Sequence, residues 1–163
     1  MMAESIAGWL QWLQNSSWAV GVRQSLWLYP ALEIIHITGI VLVAGGAIFF
    51  DLRLLGMSKK IALVDMAGHL LTWSKRGLIL AVPSGILLFI TNAETLGYDP
   101  TFHTKLILLA LAGINAWIFH AFVLRPKEQY HHSSSWSKSG KANAVCSIIL
   151  WIAVIACGRL LAY

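Results

Sequence analysis

Histidines are the residues of this 163-residue chain best suited to carry chemistry, and four of the six fall within or at the ends of apolar segments. These four are His36, His69, His103 and His120. Neutral imidazole is a common metal ligand, and haem iron is often held by histidine. Ionisable groups in hydrocarbon are costly, usually face the interior of a helix bundle and often mark function. The sequence therefore predicts a haem or metal site built from histidines.

The depth of each histidine along its segment decides which of them can meet. His36 follows Pro30 in the first segment and His103 opens the third, so both lie toward one membrane surface. His69 begins the second segment and His120 ends the third, so both lie toward the other surface. The sequence predicts one histidine pair per leaflet, although His103 and His120 differ by about 100° around one helix.

Neighbouring residues suit a haem. Gly39, Val43 and Gly46 follow His36 along one helical stripe, where their small size lets a flat macrocycle or another helix come close. Propionates of a haem need cationic partners, and the candidates are Lys75, Arg76 and Lys105.

The same histidines allow two alternatives. Glu33 lies one turn before His36, and such a pair on a helix can bind a metal ion. With His103 they form a candidate copper site, and His69 and His120 are further candidate metal ligands. The chain lacks the methionine or cysteine cluster that a Cu(I) path favours. The other alternative is a structural or accessory subunit whose histidines only form hydrogen bonds within the bundle.

Composition places these residues in a lipid bilayer. The chain is 58% apolar and 12% charged, with a mean hydropathy of +0.69, whereas soluble domains are about 45–50% apolar and about 25% charged. This excludes a disordered chain, a basic nucleic-acid-binding domain and a typical soluble enzyme. The net charge of +5 comes mostly from basic residues between apolar segments, as expected of membrane topology.

Four apolar segments are long enough to cross the bilayer, which takes about 20 residues. They cover about residues 27–50, 64–91, 102–124 and 142–162. Residues 1–22 have helical apolar spacing and tryptophans, and predict a short amphipathic helix in the interface. We therefore predict one domain over residues 1–163, an all-α integral membrane four-helix bundle with an N-terminal interfacial helix. Cys146 and Cys157 lie about 16 Å apart on one helix, too far for a disulfide.

The loops predict an orientation. Residues 51–62 carry three Lys/Arg and residues 125–141 carry four, whereas residues 92–101 carry only acids. The positive-inside rule places the first and third loops in the cytoplasm and both termini outside, in the periplasm of a bacterium. We expect a multi-pass membrane protein. Small residues on the first and third spans favour close helix contacts within or between protomers, so a homo-oligomer or larger membrane complex is expected.

Several motifs resemble an uncharacterised family of small bacterial inner-membrane proteins. Residues 29–39 (YPALEIIHITG) and 51–56 (DLRLLG) resemble its first two motifs. Phe102 with Lys105, residues 112–116 (AGINA), residues 119–120 and residues 158–163 resemble its third helix and its ending. The resemblance implies four helices in the inner membrane and supplies no activity. Glu33, His36 and His120 match motif positions, whereas His69 and His103 do not clearly match. The architecture is also similar to di-haem membrane cytochromes b and to copper-resistance membrane domains.

The leading hypothesis is a haem-b-binding membrane protein in electron transfer, with quinone as a candidate partner. His36 with His103 is the first ligand pair, and His120 with His69 the second. The sequence leaves open whether the protein is an enzyme.

Overall fold

The computed structural model describes residues 2–57, 63–120 and 138–161. These ranges contain helices and no strand. The helices are α1 (Met2–Gln14), α2 (Ser17–Gln24), α3 (Leu28–Leu55), α4 (Leu63–Thr91), α5 (Ala93–Tyr98), α6 (Pro100–Ile118) and α7 (Lys138–Leu160). Four of them, α3, α4, α6 and α7, are long and apolar enough to cross a membrane. The predicted all-α membrane fold with four spans is confirmed. Residues 121–124 of the predicted third span and the loop after it lie outside the described residues.

Local capping signals set the helix ends. Gly56 ends α3 in the left-handed conformation with a φ of 112°, which favours glycine, and its N–H donates to Arg53 O at 3.1 Å. Asp99 begins α6 by accepting the N–H of Thr101 at 2.6 Å and that of Phe102 at 3.3 Å. Burial raises the pKa of the Asp99 carboxyl, but these hydrogen bonds outweigh it and hold the pKa below its usual value. The capping contribution is therefore present at neutral pH and is lost as the pH falls through that lowered pKa.

Close packing of small residues joins α3 to α4. A methyl group on Gly39 would lie 2.6 Å from the backbone nitrogen of Ala81, and one on Gly77 would lie 2.8 Å from Gly39 O. Lipid tails are as apolar as leucine, so helix pairs in membranes gain stability from close van der Waals contact rather than from leaving water. The glycines supply that contact for this pair.

The bundle has two distinct ends. At the basic end, where α3 and α6 finish and α4 and α7 begin, Leu54, Phe119 and Ala144 form a buried cluster. Phe50 packs edge-on against Phe119, with ring centroids 5.5 Å apart. The capped end, opposite, carries α1, α2 and α5. Phe102, in the first turn of α6, stacks there on Phe89 of α4, with ring centroids 5.2 Å apart.

The N-terminal cap is two helices rather than one. The Ser16 hydroxyl accepts the N–H of Ala19 at 3.4 Å and starts α2, which interrupts the single interfacial helix predicted over residues 1–22. Its outer face exposes Trp9, Trp12 and Trp18 by 56%, 69% and 77%. Exposed tryptophans beside a spanning bundle suit the membrane interface.

Arg23 fastens this cap to the bundle. Its guanidinium donates to Thr91 O, at the end of α4, at 2.7 Å and to Gln14 O, at the end of α1, at 2.6 Å. One side chain thus joins three helices. Gln14 adds a second link, because its side-chain oxygen accepts the N–H of Glu94 at 2.8 Å.

Replacing Arg23 by alanine is expected to release the cap while the four spans stay folded. Hydrogen bonds from a charged donor are worth about 1.5–3 kcal/mol, and solvent exposure reduces that. We expect protease cleavage within residues 14–27 to accelerate about tenfold, since cleavage follows the population of the opened state. Arg23→Lys is the matched control, which keeps the charge but has no planar fork to reach both carbonyls. Equal cleavage rates of the alanine variant and the parent chain would contradict the role of Arg23 in holding the N-terminal cap on the bundle.

Candidate functional site

His36 is a half-buried histidine of α3 that faces α4 near the capped end. Its Nδ1 lies 2.9 Å from Ala81 O and 3.2 Å from the Ser84 hydroxyl. A carbonyl oxygen only accepts, and the Ser84 hydroxyl donates its own proton to Leu80 O at 2.6 Å. Both partners of Nδ1 are therefore acceptors, and Nδ1 carries the hydrogen. In the neutral ring this leaves Nε2 with a free lone pair.

The local structure of α4 makes room for the ring. A methyl group on Gly85 would lie 2.8 Å from Cε1 of His36 and 3.2 Å from Nδ1, so only glycine accepts the imidazole there without a shift. Pro83 lies within α4 and has no N–H for the helical ladder. The glycine, together with the Ala81 carbonyl and the Ser84 hydroxyl, fixes the plane of the ring.

Lys105 brings a positive charge to the same region. It lies half-buried on α6, and its Nζ lies 3.6 Å from the position of a methyl group on Gly158 of α7. It lies within electrostatic reach of the His36 ring on α3 and of Cys157 on α7. No carboxylate pairs with it among the residues that the structure describes. We call His36, Ser84, Lys105 and Gly158 the His36–Lys105 site, to which each spanning helix contributes one residue.

His103 is exposed and lies away from this site. Its Nδ1 is bonded to Asp99 O at 2.8 Å, one turn earlier in the chain. It is two residues from Lys105 on α6, which is about 200° around the helix, so the two side chains leave opposite sides. Since Lys105 is the residue near His36, the structure does not bring His103 to His36 within one chain.

The other predicted site residues are separate and mostly exposed. His69, Lys75 and Arg76 of α4 and His120 after α6 are all exposed, and the Arg76 guanidinium lies 4.9 Å from the centre of the Trp73 ring. The described residues show no contact between His69 and His120, and that pairing stays a prediction.

Glu33 is exposed on α3, while Gly39 is buried against α4. The residue that approaches Gly39 closely is thus Ala81 of a neighbouring helix, the packing alternative left open by the sequence.

No group of three or more His, Cys, Asp or Glu residues that could hold a metal ion occurs within residues 2–57, 63–120 and 138–161. The candidate copper ligands Glu33, His36 and His103 are accordingly not gathered into one set. Cys146 and Cys157 are free thiols, as their separation predicts.

Sequence reasoning overlooked two polar contacts inside the bundle. The Asn143 amide of α7 donates to Asn115 Oδ1 of α6 at 2.8 Å. Asp51, near the end of α3, is only 6% exposed, and Ser147 of α7 lies near its carboxyl group. The signal in the sequence for these contacts is a single polar residue within an apolar segment. Three of the four residues are uncharged and so give a weak signal, and Asp51 stands in the sequence where a span is expected to end.

Comparisons with known proteins give a family and no activity. One family model, described as a family of unknown function, matches residues 24–163. No curated protein and no solved structure gives a significant match. The match includes all four spans and the His36–Lys105 site, and begins at the last residue of α2. The chain therefore belongs to the DUF6644 family of unknown function.

Proposed function

We propose that this protein binds haem b within the membrane and takes part in electron transfer, with His36 as an axial ligand. The observation that carries the proposal is the hydrogen bond of 2.9 Å from His36 Nδ1 to Ala81 O. Histidines that ligate a metal usually donate their other ring N–H to a carbonyl or carboxylate, which orients the ring and raises its basicity. His36 has this arrangement, and Gly85 packs closely against the ring beside Cε1 and Nδ1.

Lys105 supports the same proposal. A half-buried ammonium group without a described carboxylate partner favours an anionic ligand, because a desolvated charge is costly unless it is paired. Haem propionates are such anions, and Lys105 is one of the three cations proposed from the sequence. Lys75 and Arg76 lie on α4 and are exposed, so we assign the propionate contact of this site to Lys105.

A bound haem would supply a one-electron redox couple. The chain's part is then to hold the iron through His36 Nε2, to fix the imidazole through Ala81 and Ser84, and to balance anionic charge through Lys105. A second ligand is not assembled by the described residues of one chain. We propose that His103, exposed with its Nδ1 already bonded, supplies it from a neighbouring copy in a homo-oligomer.

The resemblance of the sequence motifs favours the bacterial inner membrane, and the distribution of charge favours a cytoplasmic basic end with both termini periplasmic. A reporter fused after Tyr163 that is active only in the periplasm is expected to be active. Quinone is the redox partner we favour, since it shares the bilayer.

One observation favours a cofactor-free structural subunit as the second candidate. The His36 ring already joins α3 to α4, and the small-residue stripe after it is filled by α4. In that case the imidazole has a packing role alone.

Absorption spectra of the detergent-purified protein, oxidised and reduced with dithionite after haem-replete expression, separate the two candidates. We expect a Soret band with sharp α and β bands on reduction. His36→Ala is expected to lower the haem content at least tenfold, whereas His131→Ala, at a histidine of the sequence between the third and fourth apolar segments, is expected to leave it unchanged. Lys105→Gln is expected to retain less haem than Lys105→Arg, which keeps the charge.

A featureless visible spectrum would overturn the haem proposal and favour the structural subunit. Elemental analysis of the same sample then tests the copper alternative. If His36→Ala keeps its haem, another histidine holds the iron, and alanine variants at positions 69, 103 and 120 identify it.

A further inference from the structure

Asp51 is a buried ionisable residue that the proposed haem site does not use. It lies on α3, about 22 Å along the helix from His36, at the basic end of the bundle. Its side chain is 6% exposed, and the Ser147 hydroxyl of α7 is placed to donate a hydrogen bond to the carboxyl group. Its Oδ2 atom is buried and has no hydrogen-bond partner among the residues that the structure describes.

A buried apolar cluster lies next to Asp51 along α3. Leu54, one turn along α3, is 2% exposed and packs with Phe119 and with Ala144 of α7. Basic and titratable side chains are described at this end of the bundle on every spanning helix: Arg53, His69, His120, Lys138 and Lys141. All except the half-buried Arg53 are exposed, and none of them hydrogen-bonds Oδ2.

An ionised carboxylate does not suit this environment. Burying a charge is unfavourable unless hydrogen bonds and an opposite charge compensate it, and the described donor here is one hydroxyl group. A neutral carboxylic acid needs less compensation, because it still accepts from Ser147 and carries a hydrogen on its second oxygen. Acidic side chains within membrane helices are frequently members of proton relays.

We propose that Asp51 and Ser147 form a proton-binding site at the interface of α3 and α7. A hydronium ion at the basic end transfers a proton to Oδ2 and leaves as water, and the carboxyl group changes from a charge of −1 to neutral. Because this oxygen is buried beside Ser147 of α7, we expect that loss of the proton requires water to enter between α3 and α7. Proton exchange is thereby coupled to opening of the α3–α7 interface, whether or not the protein binds haem.

Infrared spectroscopy of the protein in lipid bilayers at neutral pH tests the proposal. We expect the carbonyl stretch of a protonated carboxylic acid in the parent chain and its loss in Asp51→Asn, which is nearly isosteric and permanently neutral. The band is expected to shift slowly in D₂O, because exchange needs the interface to open. Glu33→Gln, which removes an exposed acid of the same helix, is the matched control and is expected to leave the band in place.

Two results would overturn the proposal: no acid band in the parent chain at neutral pH, or a band that persists in Asp51→Asn. Should Asp51→Asn not fold, Ser147→Ala decides, because loss of the hydroxyl donor is expected to shift the band and an unshifted band contradicts the site. The haem spectrum is a separate readout, since Asp51→Asn is expected to leave any Soret band unchanged.

Discussion

Replacing Gly39 by alanine is expected to lower the free energy of unfolding of the bundle by about 1–3 kcal/mol, the range for overpacking a tight contact. The added methyl group would lie 2.6 Å from the backbone nitrogen of Ala81 and 2.9 Å from its Cα and Cβ atoms. Backbone atoms of a helix cannot rotate away, so α3 and α4 must separate. Separation weakens the van der Waals contacts of the whole helix pair. No hydrophobic driving force compensates this loss, because lipid tails are as apolar as the side chains.

Three glycines of α3 make this prediction specific. A methyl group on Gly46 would meet the Ser74 hydroxyl at 2.5 Å, a side-chain atom that can rotate, whereas one on Gly45 would meet nothing within 4 Å. We therefore expect the loss of stability to fall in the order Gly39, Gly46, Gly45. Gly45→Ala is the matched control and is expected to be neutral or stabilising by up to about 1 kcal/mol, from helix propensity alone.

Thermal or denaturant unfolding in detergent, followed by helical circular dichroism, measures the series. If Gly39→Ala and Gly45→Ala unfold alike, the close approach of α3 and α4 at Gly39 is wrong. The result also bears on the proposed function. Tight packing at Gly39 leaves no room there for a flat cofactor, which would then approach His36 from another side.

The four spans could be predicted from the sequence because hydropathy and length alone determine them. Long apolar runs have few alternatives in a bilayer, where every backbone polar group must be bonded within a helix. The helices of the N-terminal segment are harder to predict from the sequence. Its apolar spacing predicts one helix, but a single hydroxyl at Ser16 starts a second, and α5 within the acidic loop is a six-residue helix without a strong signal.

The candidate site was predicted only in part, because the sequence gives depth along a helix but not direction around it. The sequence predicts both His36 and Lys105 as site residues, and the structure places them near each other. His103 lies at a suitable depth along α6, but its side chain leaves the helix on the opposite side from that of Lys105. The contact between Asp51 and Ser147 joins helices that are distant in the chain, and no spacing rule within one helix reveals such a pair.

Replacing Gly85 by alanine is expected to displace the His36 ring while leaving its hydrogen-bond partners, the Ala81 carbonyl and the Ser84 hydroxyl, chemically unchanged. The added methyl group would lie 3.2 Å from Nδ1 of the ring and 2.8 Å from Cε1, and the shorter distance is one that Cβ atoms essentially never show. The imidazole must turn or withdraw, and its hydrogen bond to Ala81 O, at 2.9 Å, weakens or breaks. A lost hydrogen bond of this kind costs about 0.5–1.5 kcal/mol, so the bundle should remain folded.

The position of the ring, more than the stability of the bundle, is therefore the informative measurement. In the parent chain the hydrogen on Nδ1 is shielded between α3 and α4, and we expect its NMR signal to exchange slowly with water. In Gly85→Ala that signal should broaden or vanish, and a haem held by His36 should bind several-fold more weakly. Gly113→Ala on α6, where a methyl group meets nothing within 4 Å, is the matched control and should retain both signal and cofactor. Retention of haem together with loss of the Nδ1 signal would separate the two roles of His36, because the ring would then ligate iron without its bond to α4.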